Sequence, residues 1–279
     1  KVKDMSERMV YVHINLSGEN HIVGRLWEHS KNGRYSGTFQ YDTSWLDYDE
    51  KFSLEPLLQL TTGSFHTNPN KSIFGSIGDS APDTWGRVLM RRSLKRNAVS
   101  QGSSPRSFSE LDYLLAVSDE ARQGALRFSH ELEGEFLSPP NLNPIPPLLD
   151  LSKLLSATES ILNDQETEEE LKLLLVPGSS LGGARPKASI RDKDGHLTIA
   201  KFSSAHDEFS TILWEGVALK LASLAKIETP QWQIEDIHGK KVILIRRFDR
   251  DGEWRIPFIS AMSMLNAKDN EHHSYLEIA

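Results

Sequence analysis

The sequence predicts an α+β fold in two parts, an N-terminal antiparallel β subdomain and a second sheet carrying helices. Three observations point to it: β-branched and aromatic runs separated by glycine turns, apolar stripes at spacings of three and four, and one proline-rich break between the parts. Residues 9–15, 21–27 and 34–41 read as three strands, with Gly18 and Asn32-Gly33 as turns. Residues 57–70 lack a period. A helix is predicted over 76–92, where Pro82 suits a helix start and Trp85, Val88 and Leu89 form a stripe. Arg87, Arg91, Arg92, Lys95 and Arg96 offer either a basic surface or an ordinary solvated helix face. Residues 109–118 read as a short helix presenting Leu111, Leu114 and Leu115, and 124–128 as a buried strand.

Residues 138–147 hold five prolines, which neither a helix nor a central strand can accommodate. The expected division is therefore 1–137, a connector over 138–150, and a second lobe over 151–279. Two helices are predicted over 151–175, broken near Asn163-Asp164, and Thr167 before three glutamates marks the second start. A glycine-rich turn spans 177–184, and strands at 187–190 and 196–202 form a hairpin around 192–195. Residues 208–224 give the strongest helix, with Ile212, Trp214, Val217, Leu219 and Leu221 as its broad apolar face. Strands at 232–237 and 242–248 make a second hairpin, 249–253 is a polar turn, and serines and methionines at 260–264 lead into a terminal segment.

The net charge of −7 argues against a globally basic nucleic-acid surface, leaving only a local patch open. There is no cysteine, so disulfides, thiolate zinc sites and cysteine nucleophiles are excluded. An apolar fraction of 38% is somewhat low for a self-contained globule. No apolar run reaches membrane-spanning length and Lys1-Val2-Lys3-Asp4 opens no signal peptide, so a cytoplasmic protein without membrane association is expected.

The order of the second lobe carries the chemistry. A glycine loop precedes a hairpin with Lys201, a helix with Glu215 follows, and a further hairpin ends at Phe248. A strand lysine can reach nucleotide phosphates, and a helix glutamate can hold that lysine by an ion pair. Taken singly, Lys201 also fits a strand-edge charge and Glu215 a solvated acid. The run from Ser179 and Ser180 through Gly182, Gly183 and Ala184 to Lys187 can bring backbone N–H groups to phosphate, but it matches neither standard phosphate-loop pattern.

Four stretches carry a resemblance: DEARQGALRF at 119–128, SLGGARPKA at 180–188, IAKF at 199–202 and RRFDR at 246–250. In this order the chain resembles the HipA family of bacterial serine/threonine kinases, whose best-known members are toxins of toxin–antitoxin systems. The resemblance implies a HipA-like protein kinase fragment whose second part is a kinase N-lobe-like sheet with helices. It implies ATP bound by Gly182, Gly183, Ala184, Lys187 and Lys201, with Lys201 on the α or β phosphate. Arg246, Arg247 and Phe248 become the hinge beside adenine, although the family often has an acid where Arg246 stands. Asp249 is placed near the ribose, and Ser180 matches the serine that family members autophosphorylate. Plain alternatives remain: Phe248 as a core aromatic, Asp249-Arg250 as an exposed pair, and either serine as a loop cap.

The family's catalytic loop, its Asp-x-His-x-x-Asn-like acid and its later magnesium aspartate have no match here. Catalytic and Mg2+-binding residues are therefore expected downstream of Ala279, and the chain alone is expected to be inactive. His272-His273 with Glu271 and Glu277 makes no coherent metal shell, and Asp249 and Asp251 are unconvincing substitutes. The resemblance further implies a HipB-like helix-turn-helix antitoxin as partner, DNA contact through that antitoxin, and a protein substrate such as an aminoacyl-tRNA synthetase. The alternative is a noncatalytic antitoxin-binding or regulatory fragment.

Overall fold

The computed structural model describes residues 5–68, 71–104, 107–138, 145–178, 183–204, 207–268 and 270–278. It falls into two compact units, one made of 1–81, 108–139 and 253–279, the other of 82–107 and 140–252. Packing thus groups the chain in interleaved segments, whereas the sequence suggests one linear division at 138–150. Mixed α/β structure with antiparallel sheets is present in both, as expected.

The first unit is built on strands β1 (Met5–Leu16), β2 (Glu19–Lys31), β3 (Arg34–Tyr41), β4 (Phe65–His66) and β5 (Leu126–Ser129) in the order β4-β3-β2-β1-β5. Both long hairpins turn through left-handed pairs: Ser17 and Gly18 have φ of 50° and 90°, and Asn32 and Gly33 have 55° and 75°. Such turns match the twist of paired strands, which is why short Gly and Asn-Gly signals locate them so well. Phe39, Trp45, Leu58, Ile77 and Phe128 sit in the core beneath the sheet. Helix α1 (Thr43–Asp47) contributes Trp45.

The predicted helix over 76–92 is two helices. A single turn, α2 (Gly75–Gly78), belongs to the first unit; Pro82-Asp83 breaks the chain, and α3 (Thr84–Ser100) belongs to the second. Proline resists placement after a helical residue, so it ends one helix and precedes the other. Helix α4 (Glu110–Leu115) starts at a Ser109–Asp112 capping box.

The second unit holds α5 (Leu151–Leu162), α6 (Glu168–Gly178), β6 (Lys187–Arg191), β7 (Leu197–Phe202), α7 (Thr211–Leu224), β8 (Trp232–Ile237) and β9 (Lys240–Arg246). The strand order is β6-β7-β9-β8, all antiparallel neighbours. Strand alternation gives the sheet two characters. Ala188, Ile190, Ala200, Phe202, Val242 and Leu244 pack with α5, α6 and the Trp85 and Leu89 of α3. Ile243 and Ile245 face the other way, toward Ile212 and Leu219 of α7.

Helix α7 departs from expectation. Of its predicted apolar face only Ile212 is buried; Trp214, Val217 and Leu221 are 61%, 44% and 60% exposed. The helix seats itself instead through Ile212 and Gly216, where an added Cβ would meet Ile234 at 2.9 Å. Among the described residues no helix is long and apolar enough to cross a membrane.

Candidate functional site

The site is assembled on the α7 side of the second unit's sheet. Lys187 on β6 is registered opposite Lys201 on β7, so alternation places both ammonium stems on one face. Lys201 Nζ meets Glu215 Oε1 of α7 at 2.5 Å, with about 29% and 32% of the two side chains exposed. The predicted strand lysine and helix glutamate are therefore brought together. At that exposure the pair orients the lysine more than it stabilises the fold.

Lys187 is a different lysine, only 4% exposed. Burial drives its pKa down to about 8; Asp83 and Glu215 act to raise it and Lys201 to lower it. Its ammonium lies against Gly183, where φ is +98° and a Cβ would come within 2.7 Å of Nζ. A side chain at this position would strain the backbone and displace the ammonium. Gly183 donates its N–H to Asp83 Oδ2, and Arg185 donates to Asp207 at 2.6 Å and to Thr211 Oγ1 at 3.0 Å. Asp207 in turn accepts from Ser204 N–H at 3.0 Å and from the Thr211 hydroxyl at 3.1 Å. Ala184 is exposed between these anchors. Gly182 and the phosphorylation candidate Ser180 lie outside the described residues.

At the end of β9, Arg246 N–H donates to the Gln231 carbonyl at 2.8 Å and Arg247 N–H to the Leu197 carbonyl at 3.0 Å. Phe248 is 57% exposed, which removes the core-aromatic reading. Asp249 was placed near a ribose by resemblance, but its carboxylate turns inward. It accepts from Arg247 Nε at 2.8 Å and Nη2 at 2.6 Å, and from Arg250 Nη1 at 2.8 Å, with Asp249 itself 1% exposed. A carboxylate desolvated to this degree needs such partners. Arg247 also reaches Ser189 Oγ at 3.3 Å, tying the residues after β9 to β6.

Nucleotide kinases hold magnesium on acidic or amide oxygens. Among the described residues, the one cluster of suitable groups is Asp192, Asp194 and His196 in the β6–β7 turn. Asp192 there already accepts from the N–H groups of Asp194 and His196, each at 2.9 Å. Asp249 is held by arginines. These groups do not fit a magnesium shell. His273 instead pairs with Glu277 at 2.8 Å in an exposed turn.

Part of the predicted basic strip is paired within the second unit. Arg92 bridges Asp164 at 2.6 Å and Glu166 at 2.9 Å, Arg96 lies 3.5 Å from Glu166, and Arg87 donates to the Pro82 carbonyl. Asp83, Arg185 and Asp207 were not singled out by sequence reading. Asp83 lies one hundred residues from its partner, a contact no local pattern encodes. Cavities of about 280 and 370 Å³ lie within the first unit, lined by none of the site residues.

Comparison with known proteins matches residues 14–129 to the HipA N-terminal domain and residues 179–279 to the HipA-like C-terminal domain. Together these matches span well over half of the chain. The chain belongs to the HipA-like family. Among solved structures it is similar to a chain of the Shewanella oneidensis MR-1 HipA, HipB and operator DNA complex, a toxin–antitoxin system. That likeness has a TM-score of 0.51 and 16% identity, and it covers 93% of this chain and 57% of the other. This HipA-like chain thus spans little more than half the length of that neighbour. A search of curated proteins finds no match.

Proposed function

We propose that this chain supplies the ATP-cradling half of a HipA-like serine/threonine protein kinase. The observation that carries the reading is the Lys201–Glu215 pair, a strand lysine fixed at 2.5 Å by the adjoining helix. Lys201 then presents its charge to the α or β phosphate, Lys187 adds a second cation, and Ala184 offers its backbone N–H beside the Gly183 that Asp83 holds. Arg246 to Phe248 form the adenine-side edge, on which the Phe248 ring is exposed. Asp249 acts as an anchor for that edge through Arg247 and Arg250. Autophosphorylation at Ser180 would add roughly two negative charges next to the bound phosphates and so oppose ATP.

ATP with Mg2+ is the expected ligand of the complete enzyme, and phosphoryl transfer to a protein hydroxyl its reaction. This chain's described residues would bind and orient the nucleotide. A HipB-like antitoxin is the expected partner, as in the Shewanella complex, with DNA reached through it. An aminoacyl-tRNA synthetase is one candidate substrate by family analogy.

The test is titration of ATP into the purified chain, with Lys201→Ala alongside. Binding that drops at least tenfold in Lys201→Ala supports the reading; equal affinity for both proteins rejects it. Phosphoryl transfer measured in parallel separates a binding half from a complete kinase, since robust turnover by these residues alone contradicts the split.

A further inference from the structure

Both backbone polar groups of Gly183 are bound by the first turn of α3. The N–H donates to Asp83 Oδ2, and the carbonyl accepts from Trp85 N–H at 3.4 Å. The Trp85 indole N–H also donates to the Lys187 carbonyl at 3.0 Å. Asp83 is the N-cap of α3, and its other oxygen accepts from Thr84 N–H at 2.6 Å. One carboxylate therefore ends a helix and holds the glycine turn. It also faces Lys187, whose other charged neighbours are Lys201 from β7 and Glu215 from α7.

We propose that Asp83 is a positioning residue for anionic nucleotide: it fixes the glycine turn through Gly183 N–H and holds the Lys187 ammonium beside it. The inference rests on the nucleotide reading above. An amide in its place has a single acceptor oxygen, whereas Thr84 and Gly183 donate to two different oxygens of Asp83, and it has no charge for Lys187. Charge on Asp83 is favoured: burial opposes it, but the Gly183 and Thr84 hydrogen bonds and the Lys187 charge prevail and lower its pKa.

The experiment compares Asp83→Asn and Asp83→Glu with the unaltered 279-residue chain in ATP titrations across pH. Asp83→Asn is expected to bind about tenfold more weakly, and Asp83→Glu to recover part of the loss. Affinity of the unaltered chain should fall as pH rises through about 8, where Lys187 loses its proton. In Asp83→Asn that fall should move to lower pH, because removal of a neighbouring carboxylate makes the lysine easier to deprotonate. A merely structural residue would weaken binding without moving the break. Unchanged affinity with an unchanged break overturns the proposal.

A second measurement needs no nucleotide. By NMR, Asp83→Asn should speed amide exchange at Gly183 and lower the titration point of Lys187; no change in either sinks the clamp. If the unaltered chain binds no ATP, the nucleotide reading fails, while Gly183 exchange and Lys187 titration still decide whether Asp83 holds the turn.

Discussion

Helices α5 and α7 serve one sheet in opposite ways. Helix α5 buries Leu151, Leu154, Leu155, Ala157, Thr158 and Ile161, joining a core continuous with α6 and α3. Helix α7, slightly longer, buries Ile212 and Gly216 alone and leaves Trp214, Leu221 and Leu224 exposed. One face of the sheet is held by apolar area, which is what sets stability. The other places a charged pair, which contributes little to stability.

The largest expected effect lies on the α5 side. Leu154→Ala, at a fully buried position, should cost about 3 kcal/mol in denaturant unfolding, close to the middle of the usual range for such truncations. Next comes the buried lysine, with the opposite sign. Its folded pKa of about 8 lies below the ordinary value of 10.5, so the native state holds its proton less tightly than the unfolded chain. Charged Lys187 therefore lowers stability at neutral pH, and stability should recover as pH climbs from about 8 toward 10.5. Lys187→Met should be more stable at pH 7 by roughly 2 kcal/mol, the gap narrowing over that window. A neutral-pH variant no more stable than the parent would show that Lys187 is well compensated where it sits.

Glu215→Gln sharpens the contrast further. It should change unfolding free energy by less than about 1 kcal/mol, while ATP affinity falls several-fold as Lys201 loses its orienting charge. The smallest effect is expected for Trp214→Lys on the outer face of α7, within about 0.5 kcal/mol in the same unfolding assay. A loss of several kcal/mol there would mean that the exposed face is part of a packed surface.

The same contrast explains what the residues disclosed in advance. The meeting of Lys201 and Glu215 was legible because strand and helix periods fix the faces on which they stand. The hairpins were legible because Gly18, Gly33 and Gly239 sit where left-handed backbone is required. The outer face of α7 was misleading, since an apolar stripe reads alike whether it is covered or exposed. The inward turn of Asp249 was hidden because a run of arginines and aspartates does not reveal which charge is desolvated. The Asp83–Gly183 contact, joining residues one hundred positions apart, could be found only in three dimensions.

The interleaving of the two compact units limits how the protein can be dissected. A cut in the proline-rich stretch would leave the first unit without 253–279, and so without Ser260 and Ser263 on Asp79 and Arg255 on Asp119. The same cut would leave the second unit without α3, whose Trp85 and Leu89 are core residues. Separately expressed halves would leave the second unit with an unfilled core and the first with Asp79 and Asp119 short of polar partners. Reconstitution from two fragments would have to exchange segments in both directions, so the proline stretch, although it looks like a linker, is a poor place to divide the gene.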